Sequence, residues 1–273
     1  MTVCALSISR GRRSIKRMMT DIHSHVLAEI DDGARSLEES VEMCRLSARD
    51  GVAVIVATPH AYDSVHKTHD PALLREKVSE LNRCLGGNPR VVLGCELRFN
   101  HDLVNQVCHR RSAPTIADGP YVLVEFPHSV VPPYSERPLF DLLNNNIRPI
   151  IAHPERNLML IDEPERFYAL VEMGAIGQAD TGSFTGQFGK KVQRAARVML
   201  EHGLLHIVAS DCHNTRNRLP GLSKAISAIA DLVGEDYARA MADDNPASVV
   251  RGEKIPIRPI PEFPRKPKKW IFF

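Results

Sequence analysis

The segment Asp21-Ile22-His23-Ser24-His25 sets two imidazoles two residues apart at the end of an apolar, β-branched lead-in. Residues two apart on a strand project to the same side, so His23 and His25 are expected to face one site. A single pair of this kind is common on ordinary strands and says little alone. The arrangement recurs, however, at Thr58-Pro59-His60, Gly94-Cys95-Glu96, Val124-Glu125-Phe126, Ala152-His153-Pro154 and Ser210-Asp211-Cys212-His213, each placing a ligand type directly after a short apolar run. Asp31-Asp32-Gly33 adds two more carboxylates close to the first motif. Histidine and carboxylate without clustered thiolates suit Mn²⁺, Zn²⁺ or Fe²⁺, and Mg²⁺ less well. Five histidines and four or five acids exceed what one ion can take. The set points to a cluster of two or three ions, of the kind that clamps attacking and leaving oxygens in phosphate ester hydrolysis.

Such a set converges only if several strands end at one place. Seven apolar runs of strand length are present: the lead-in to His23, then 52–57, 91–93, 121–124, 150–151, 175–179 and 204–209. Helical patterns alternate with them. Ser36 and Glu39 form a capping-box pattern ahead of Leu37, Val41, Cys44 and Ala48, stopped by Gly51. Asp70-Pro71 opens a run carrying Leu74, Val78 and Leu81, and a short helix is expected from about Asp102. Later runs carry Leu139, Leu142 and Leu143; Phe167, Leu170 and Val171; Val192, Ala195, Ala196 and Leu200; and Leu222, Ile226 and Ile229. Alternating βα units imply an α/β protein with a parallel sheet, and polar groups at the strand ends are how a (β/α) barrel builds its site. An open doubly wound sheet is the rival, but it would gather ligands at one switch point.

Residues 1–20 carry five basic and no acidic side chains, and residues 251–273 seven basic and two acidic, so a whole-chain charge of +2 leaves the body between them at −8. An acidic body suits a protein that holds divalent cations and argues against a broad nucleic-acid face. Six cysteines are scattered without CxxC spacing, the usage of a reducing compartment. No apolar run approaches the length of a membrane span, and the short apolar piece at the N-terminus precedes its basic cluster, the reverse of signal-peptide order. A soluble, cytoplasmic protein is expected. Its organisation reads as a disordered extension over 1–19, a catalytic domain over 20–252, and a basic, Pro-rich tail over 253–273 that is either a plain extension or a weak docking element for acidic lipid or a partner.

The motifs DIHSHVLAEIDDGARS, ATPH, GCE, VLVEFP, PIIAHPERN, QADTGSFTGQFG and ASDCHNTRNRLP resemble the PHP (polymerase and histidinol phosphatase) superfamily. Within it they resemble the bacterial tyrosine-protein phosphatases of the CpsB/YwqE type, which act in capsular and exopolysaccharide regulation; the likeness runs from Asp21 to about Ala225. It implies a distorted (β/α)₇ TIM-like barrel with a trinuclear centre, usually of manganese, with Fe, Zn or Mg as alternatives. Carried over by motif, His23, His25 and Asp211 hold one ion and Glu96 bridges to a second, which Glu125 and His153 complete. Asp32, His60 and His213 form the third set. Arg156 and Arg218 are implied to hold the phosphoryl group, a task for which a planar guanidinium is well shaped. A merely structural Arg156 would pair instead with Glu155 or Glu165 at the surface.

The resemblance further implies attack on phosphorus by a metal-activated hydroxide, with a phosphotyrosine protein, a bacterial tyrosine autokinase, as partner. Cys212 lies inside a metal motif, but the glycine-rich phosphate cradle of a cysteine phosphatase is missing around it. Hydrolysis of histidinol phosphate or another small phosphomonoester is the nearest alternative, and a non-catalytic metal-binding regulator is a different one. The loop at 66–69 has no counterpart in the family pattern.

Overall fold

The computed structural model of the chain describes residues 18–66 and 68–256. The expected N-terminal extension, apart from its last two residues, and all but the first four residues of the basic tail lie outside the described residues. Among the described residues there are nine strands: β1 (Met19–Ser24), β2 (Val52–Ala57), β3 (His60–Ala61), β4 (Arg90–Leu93), β5 (Glu96–Arg98), β6 (Tyr121–Glu125), β7 (Arg148–Ala152), β8 (Ile176–Asp180) and β9 (Ile207–Ala209). β1 therefore takes in Met19, one residue before the expected start of the domain.

Every strand pair is parallel, in the orders β1-β2-β4 and β3-β5-β6-β7-β8-β9. The two sheets are one barrel with a break across two staves. Thr58-Pro59 parts β2 from β3, and Gly94-Cys95 parts β4 from β5; Pro59 has no N–H to give the ladder. Across the break Gly94 N donates to Ala57 O at 2.9 Å and Glu96 N to Pro59 O at 3.0 Å. At the other seam Ser24 bridges Cys212, Asp211 N donates to His23 O at 2.9 Å, and His25 N donates to Cys212 O at 2.9 Å. Counting the broken pairs as single staves gives a closed barrel of seven, as the resemblance implies and unlike an open doubly wound sheet.

Alternation along the strands sorts the core into two layers. Ile22, Val56, Val92, Leu123, Ile150, Ile176 and Ile207 fill the barrel. Val122, Val124, Ile151 and Val208 face outward onto the helices, where they meet Leu139, Leu142, Phe167 and Leu200. Each such side chain contributes roughly 1.5–3 kcal/mol by leaving water. The helices are α1 (Leu37–Arg49), α2 (Pro71–Leu85), α3 (Glu136–Asn144), α4 (Leu158–Asp162), α5 (Pro164–Met173), α6 (Thr181–Thr185), α7 (Gly189–Glu201), α8 (Ser223–Val233), α9 (Glu235–Arg239) and α10 (Asn245–Arg251).

Local chemistry explains most boundaries. Ser36 Oγ accepts from Glu39 N at 3.3 Å, but the Glu39 carboxylate takes Arg35 N at 3.0 Å, so the capping box closes one residue early. Asp70 caps α2 by accepting from Ala72 N at 2.7 Å. The helix expected from Asp102 is a five-residue π turn, Asn105–His109. The helical run 235–251 has no counterpart in the sequence reading; its Val249, with Ile255, joins the barrel interior, and Tyr121 Oη donates to Glu253 O at 2.5 Å. Among the described residues no helix is long and apolar enough to cross a membrane.

Candidate metal centre

All nine expected ligands gather at the C-terminal ends of the staves. His23 and Glu125 lie within β1 and β6, His60 and Glu96 open β3 and β5, and His25, His153, Asp211 and His213 follow strand ends; Asp32 comes from the loop after β1. His153 (φ 31°) and Asp211 (φ 49°) both sit in the left-handed region. For residues other than glycine this costs about 1–3 kcal/mol each and persists where the surrounding structure demands it. At Gly33 a Cβ would come within 2.1 Å of His25 O, so the tight return of the Asp31-Asp32-Gly33 turn onto β1 admits glycine alone.

The densest group is formed by His23, His25, Glu96 and Asp211. His23 Nε2 and His25 Nε2 are 3.4 Å apart, each lies 3.4 Å from Glu96 Oε2, and each lies 3.3 Å from Asp211 Oδ1. Donors arranged tetrahedrally about 2.0–2.1 Å from a centre have edges of about 3.4 Å, so these separations fit one divalent ion. Asp211 Oδ1 is buried and has no hydrogen-bond donor of its own, which is what a ligand oxygen requires. Glu96 turns its other oxygen, Oε1, to His153 Nε2 at 3.0 Å, and Glu125 Oε1 lies 3.9 Å beyond that nitrogen. Asp32 Oδ1 is 3.3 Å from His213 Nε2 and 3.5 Å from His60 Nε2, while His60 Nδ1 lies 3.0 Å from Glu96 Oε2. The donors form adjoining groups that overlap: His23, His25 and Asp211; His23, Glu96 and His153; His60, Glu96 and Glu125; and His25, Asp32, His60 and His213, so that Glu96 reaches both His153 and His60.

The electrostatics follow from burial and charge together. Burial pushes His23 down, but Asp211 and Glu96 outweigh it and leave its pKa at about 9. Burial likewise opposes ionisation of Glu96 and Asp211, yet His23 and the other cationic neighbours hold both well below the carboxylate range. Glu125 is raised, by burial and then by Glu96. A field that makes buried imidazoles this basic is equally favourable to a metal cation.

Several residues brace the ligands; Asp31 was among the carboxylates noted beside the first motif, whereas Gln178 and Glu155 had no place at the site in the sequence reading. Asp31 accepts from His25 Nδ1 at 2.7 Å and from His60 N at 3.0 Å, leaving His25 Nε2 turned inward. Gln178 Oε1 does the same for His23 Nδ1 at 2.8 Å, while Gln178 Nε2 donates to Asp180 Oδ1 at 3.0 Å. Glu155, fully buried, accepts from Asp180 N at 2.9 Å and Ser183 Oγ at 2.6 Å. Polar residues alternating in the otherwise apolar run Ile176–Asp180 were the available signal. In the loop that the family pattern did not cover, His66 stacks on His60 with ring centroids 4.7 Å apart and is held by Asp63 at 2.7 Å.

Both expected arginines reach the centre. A 3₁₀ turn, Pro154–Arg156, carries the chain back after β7, and in such a turn residues three apart eclipse, so Arg156 stands beside His153. Its Nη1 donates to Asp180 at 2.6 Å and to Asp211 Oδ2 at 2.7 Å, and its guanidinium stacks 4.5 Å over Phe188. Arg218 donates to Asp211 Oδ2 and, at 2.8 Å, to His213 Nε2. Its loop is shaped by Asn214, whose Oδ1 accepts from Arg216 N at 2.9 Å and Asn217 N at 2.8 Å.

A closed parallel barrel whose strand ends present a polynuclear histidine and carboxylate set has the architecture of a metal-dependent hydrolase. The chain belongs to the capsular polysaccharide synthesis family CpsB/CapC, which matches residues 19–251. This is the family its motifs resemble. It is 36% identical to the tyrosine-protein phosphatase YwqE of Bacillus subtilis (strain 168), over 93% of this chain and 100% of that protein. It is 31% identical to the tyrosine-protein phosphatase CpsB of Streptococcus pneumoniae, over 87% of this chain and 100% of that one. The fold matches a crystal structure from work on YwqE and CpsB, described as unique metal-dependent tyrosine phosphatases, with a TM-score of 0.85 and 35% identity over 90% of this chain and 100% of that chain. A phosphotriesterase homology protein from Escherichia coli, at 13% identity and TM-score 0.56 over 85% of this chain and 98% of that one, shares the fold.

Proposed function

We propose that the chain is a metal-dependent protein-tyrosine phosphatase in the control of capsular or exopolysaccharide synthesis, acting in the cytoplasm on a bacterial tyrosine autokinase with Mn²⁺ as its natural ion. The observation that carries the reading is Glu96, whose two oxygens face two different donor groups, the position of a carboxylate that bridges two ions. His23, His25, Asp211 and Glu96 would hold one ion, Glu96, Glu125 and His153 a second, and Asp32, His60 and His213 a third. When bound, these ions supply Lewis-acid charge to the phosphoryl oxygens and make water acidic enough to serve as the nucleophile near neutral pH.

The side chains do the rest. Asp31 and Gln178 fix the ring planes of His25 and His23. Arg156 borders a small cleft lined by Glu125, His128, His153 and Asn157, which receives the phosphoryl group next to a charge already held in place by Asp180. Arg218, whose Nη1 donates to His213 Nε2, stands beside the third set of donors, where its guanidinium would face a phosphoryl oxygen once His213 gave that nitrogen to an ion. All five described cysteines are free, which supports a reducing compartment. The basic tail over 253–273 is either a plain extension or a weak docking element for acidic lipid or a partner.

The test is turnover of a phosphotyrosine peptide, a phosphoserine peptide and histidinol phosphate side by side, with Mn²⁺ and with chelator, together with metal analysis. Selective, chelator-sensitive hydrolysis of the phosphotyrosine peptide and more than one ion per chain are expected. A preference for histidinol phosphate, or one ion or fewer after reconstitution with Mn²⁺, would refute the substrate or the cluster respectively.

A further inference from the structure

Within an acidic body, α7 is the exception. Lys190, Lys191, Arg194 and Arg197 are all exposed on it, and no acid occurs before Glu201. Two of the cations stand in the first turn, where the helix dipole disfavours positive charge, and Lys190 and Arg194 form a like-charge pair four residues apart. Neither placement helps the helix, whose attachment to the barrel comes from Ala195, Ala196, Met199 and Leu200 on the opposite face. Beside this basic face, between α4, α5 and α7, lies a cavity of about 310 Å³. Leu160, Val198 and Met199 give it an apolar lining, and its rim carries Arg194 and the Lys191–Asp162 ion pair at 2.9 Å.

Both walls of this groove start at the metal centre. α4 begins two residues after Arg156, and α7 begins directly after Phe188, the ring on which Arg156 stacks. A helix the length of α7 spans about 20 Å, a distance covered by roughly six residues of extended peptide. We propose that this groove docks the segment flanking the phosphotyrosine of a substrate protein, an acidic stretch lying along Lys190, Arg194 and Arg197 with a bulky apolar side chain in the cavity. The proposal rests on the phosphatase reading and adds to it the chemistry of the substrate around the reacting residue. Charge complementarity selects the occupant: a neutral or basic segment gains nothing from a stripe of cations spaced i, i+4, i+7, whereas aspartates and glutamates are both attracted and placed in register.

The test uses the Mn²⁺-loaded full chain and three probes: p-nitrophenyl phosphate, a phosphotyrosine peptide with Asp/Glu and Leu flanks, and one with Ser/Gly flanks. The wild type should show a KM for the acidic peptide at least about tenfold below that for the neutral one, a gap that closes as salt is raised. The triple substitution Lys190→Glu, Arg194→Glu, Arg197→Glu leaves the Lys191–Asp162 pair alone and alters only exposed positions. It should abolish the gap through KM while leaving kcat and p-nitrophenyl phosphate turnover unchanged. A gap that persists in the triple variant, or equal KM values in the wild type with p-nitrophenyl phosphate turned over normally, would overturn the docking proposal. Failure of all three probes in the wild type would overturn the phosphatase reading itself and the proposal with it.

Discussion

One guanidinium nitrogen of Arg156 lies 2.7 Å from Oδ2 of Asp211, the carboxylate whose other oxygen sits 3.3 Å from both His23 and His25. The arginine is therefore part of the centre and does not pair at the surface with Glu155 or Glu165. Burial works against its charge, but Asp180 and then Asp211 outweigh this and push its pKa above the usual arginine value. Arg156→Ala should keep the fold and the metal, because Arg218 also holds Asp211, but lose about 3 to 4 kcal/mol of transition-state stabilisation, roughly a hundredfold or more in kcat. Arg156→Lys should recover little, since one ammonium cannot serve Asp180, Asp211 and a phosphoryl oxygen with a planar fork. Near-normal turnover in Arg156→Ala at full metal content would assign the residue a structural role.

Asp31 was visible as one of two adjacent carboxylates, and the structure separates their tasks. Asp32 faces His213 and His60, half exposed, whereas Asp31 orients His25 from behind. Asp31→Ala should weaken metal affinity about 10- to 100-fold, and Asp31→Asn, which retains an acceptor for His25 Nδ1, should lose less. Titration of metal-stripped protein with Mn²⁺ reads the difference directly. An Asp31→Ala protein that binds the metal as tightly as the wild type would show that the backbone alone orients His25.

Cys212 offers a contrast between proximity and reactivity. It sits between two candidate ligands but is fully buried, and burial, followed by the charge of Asp21, pushes its thiol up to about 12. A thiol that remains protonated is no nucleophile. Cys212→Ala should retain turnover within about threefold, at a modest cost in stability for the lost packing. Loss of activity with intact fold and metal content would restore a covalent mechanism.

How far the chain could be read before its structure is best judged at particular residues. The strands were legible because each is buried on both faces and followed by a helix, so apolar runs and ligand positions coincided. The ligands were legible because strand ends are local in sequence. The break at Thr58-Pro59 and Gly94-Cys95 was not, since a stave interrupted in two neighbouring strands reads as two uninterrupted ones. Gln178, Asp180 and Glu155 were missed for a different reason. Their partners are 155, 24 and 28 residues away, and although the polar alternation of Gln178 and Asp180 was visible, no local pattern names the partner of a hydrogen bond that only barrel closure creates.

His206, just before β9, makes a prediction about stability that is independent of the metal centre. Its Nδ1 accepts from Gly177 N at 3.1 Å, which places the proton on Nε2, a buried atom with no hydrogen-bond partner. Burial lowers its pKa to about 4 from 6.5. Above pH 6.5 both the folded and unfolded forms are neutral, and the residue contributes nothing to pH dependence. As pH falls from 6.5 toward 4 the unfolded chain takes up a proton that the folded protein refuses, so stability drops across this window and levels off below it. At about 1.4 kcal/mol per pKa unit, the loss reaches about 2 kcal/mol at pH 5. His206→Asn supplies an acceptor for Gly177 N but does not titrate. Urea unfolding of both proteins in chelator, at pH 7.5 and pH 5, cancels the shared contribution of the metal centre's histidines. The wild type should lose about 2 kcal/mol more than His206→Asn between the two pH values, and equal losses would show that His206 takes up its proton without unfolding.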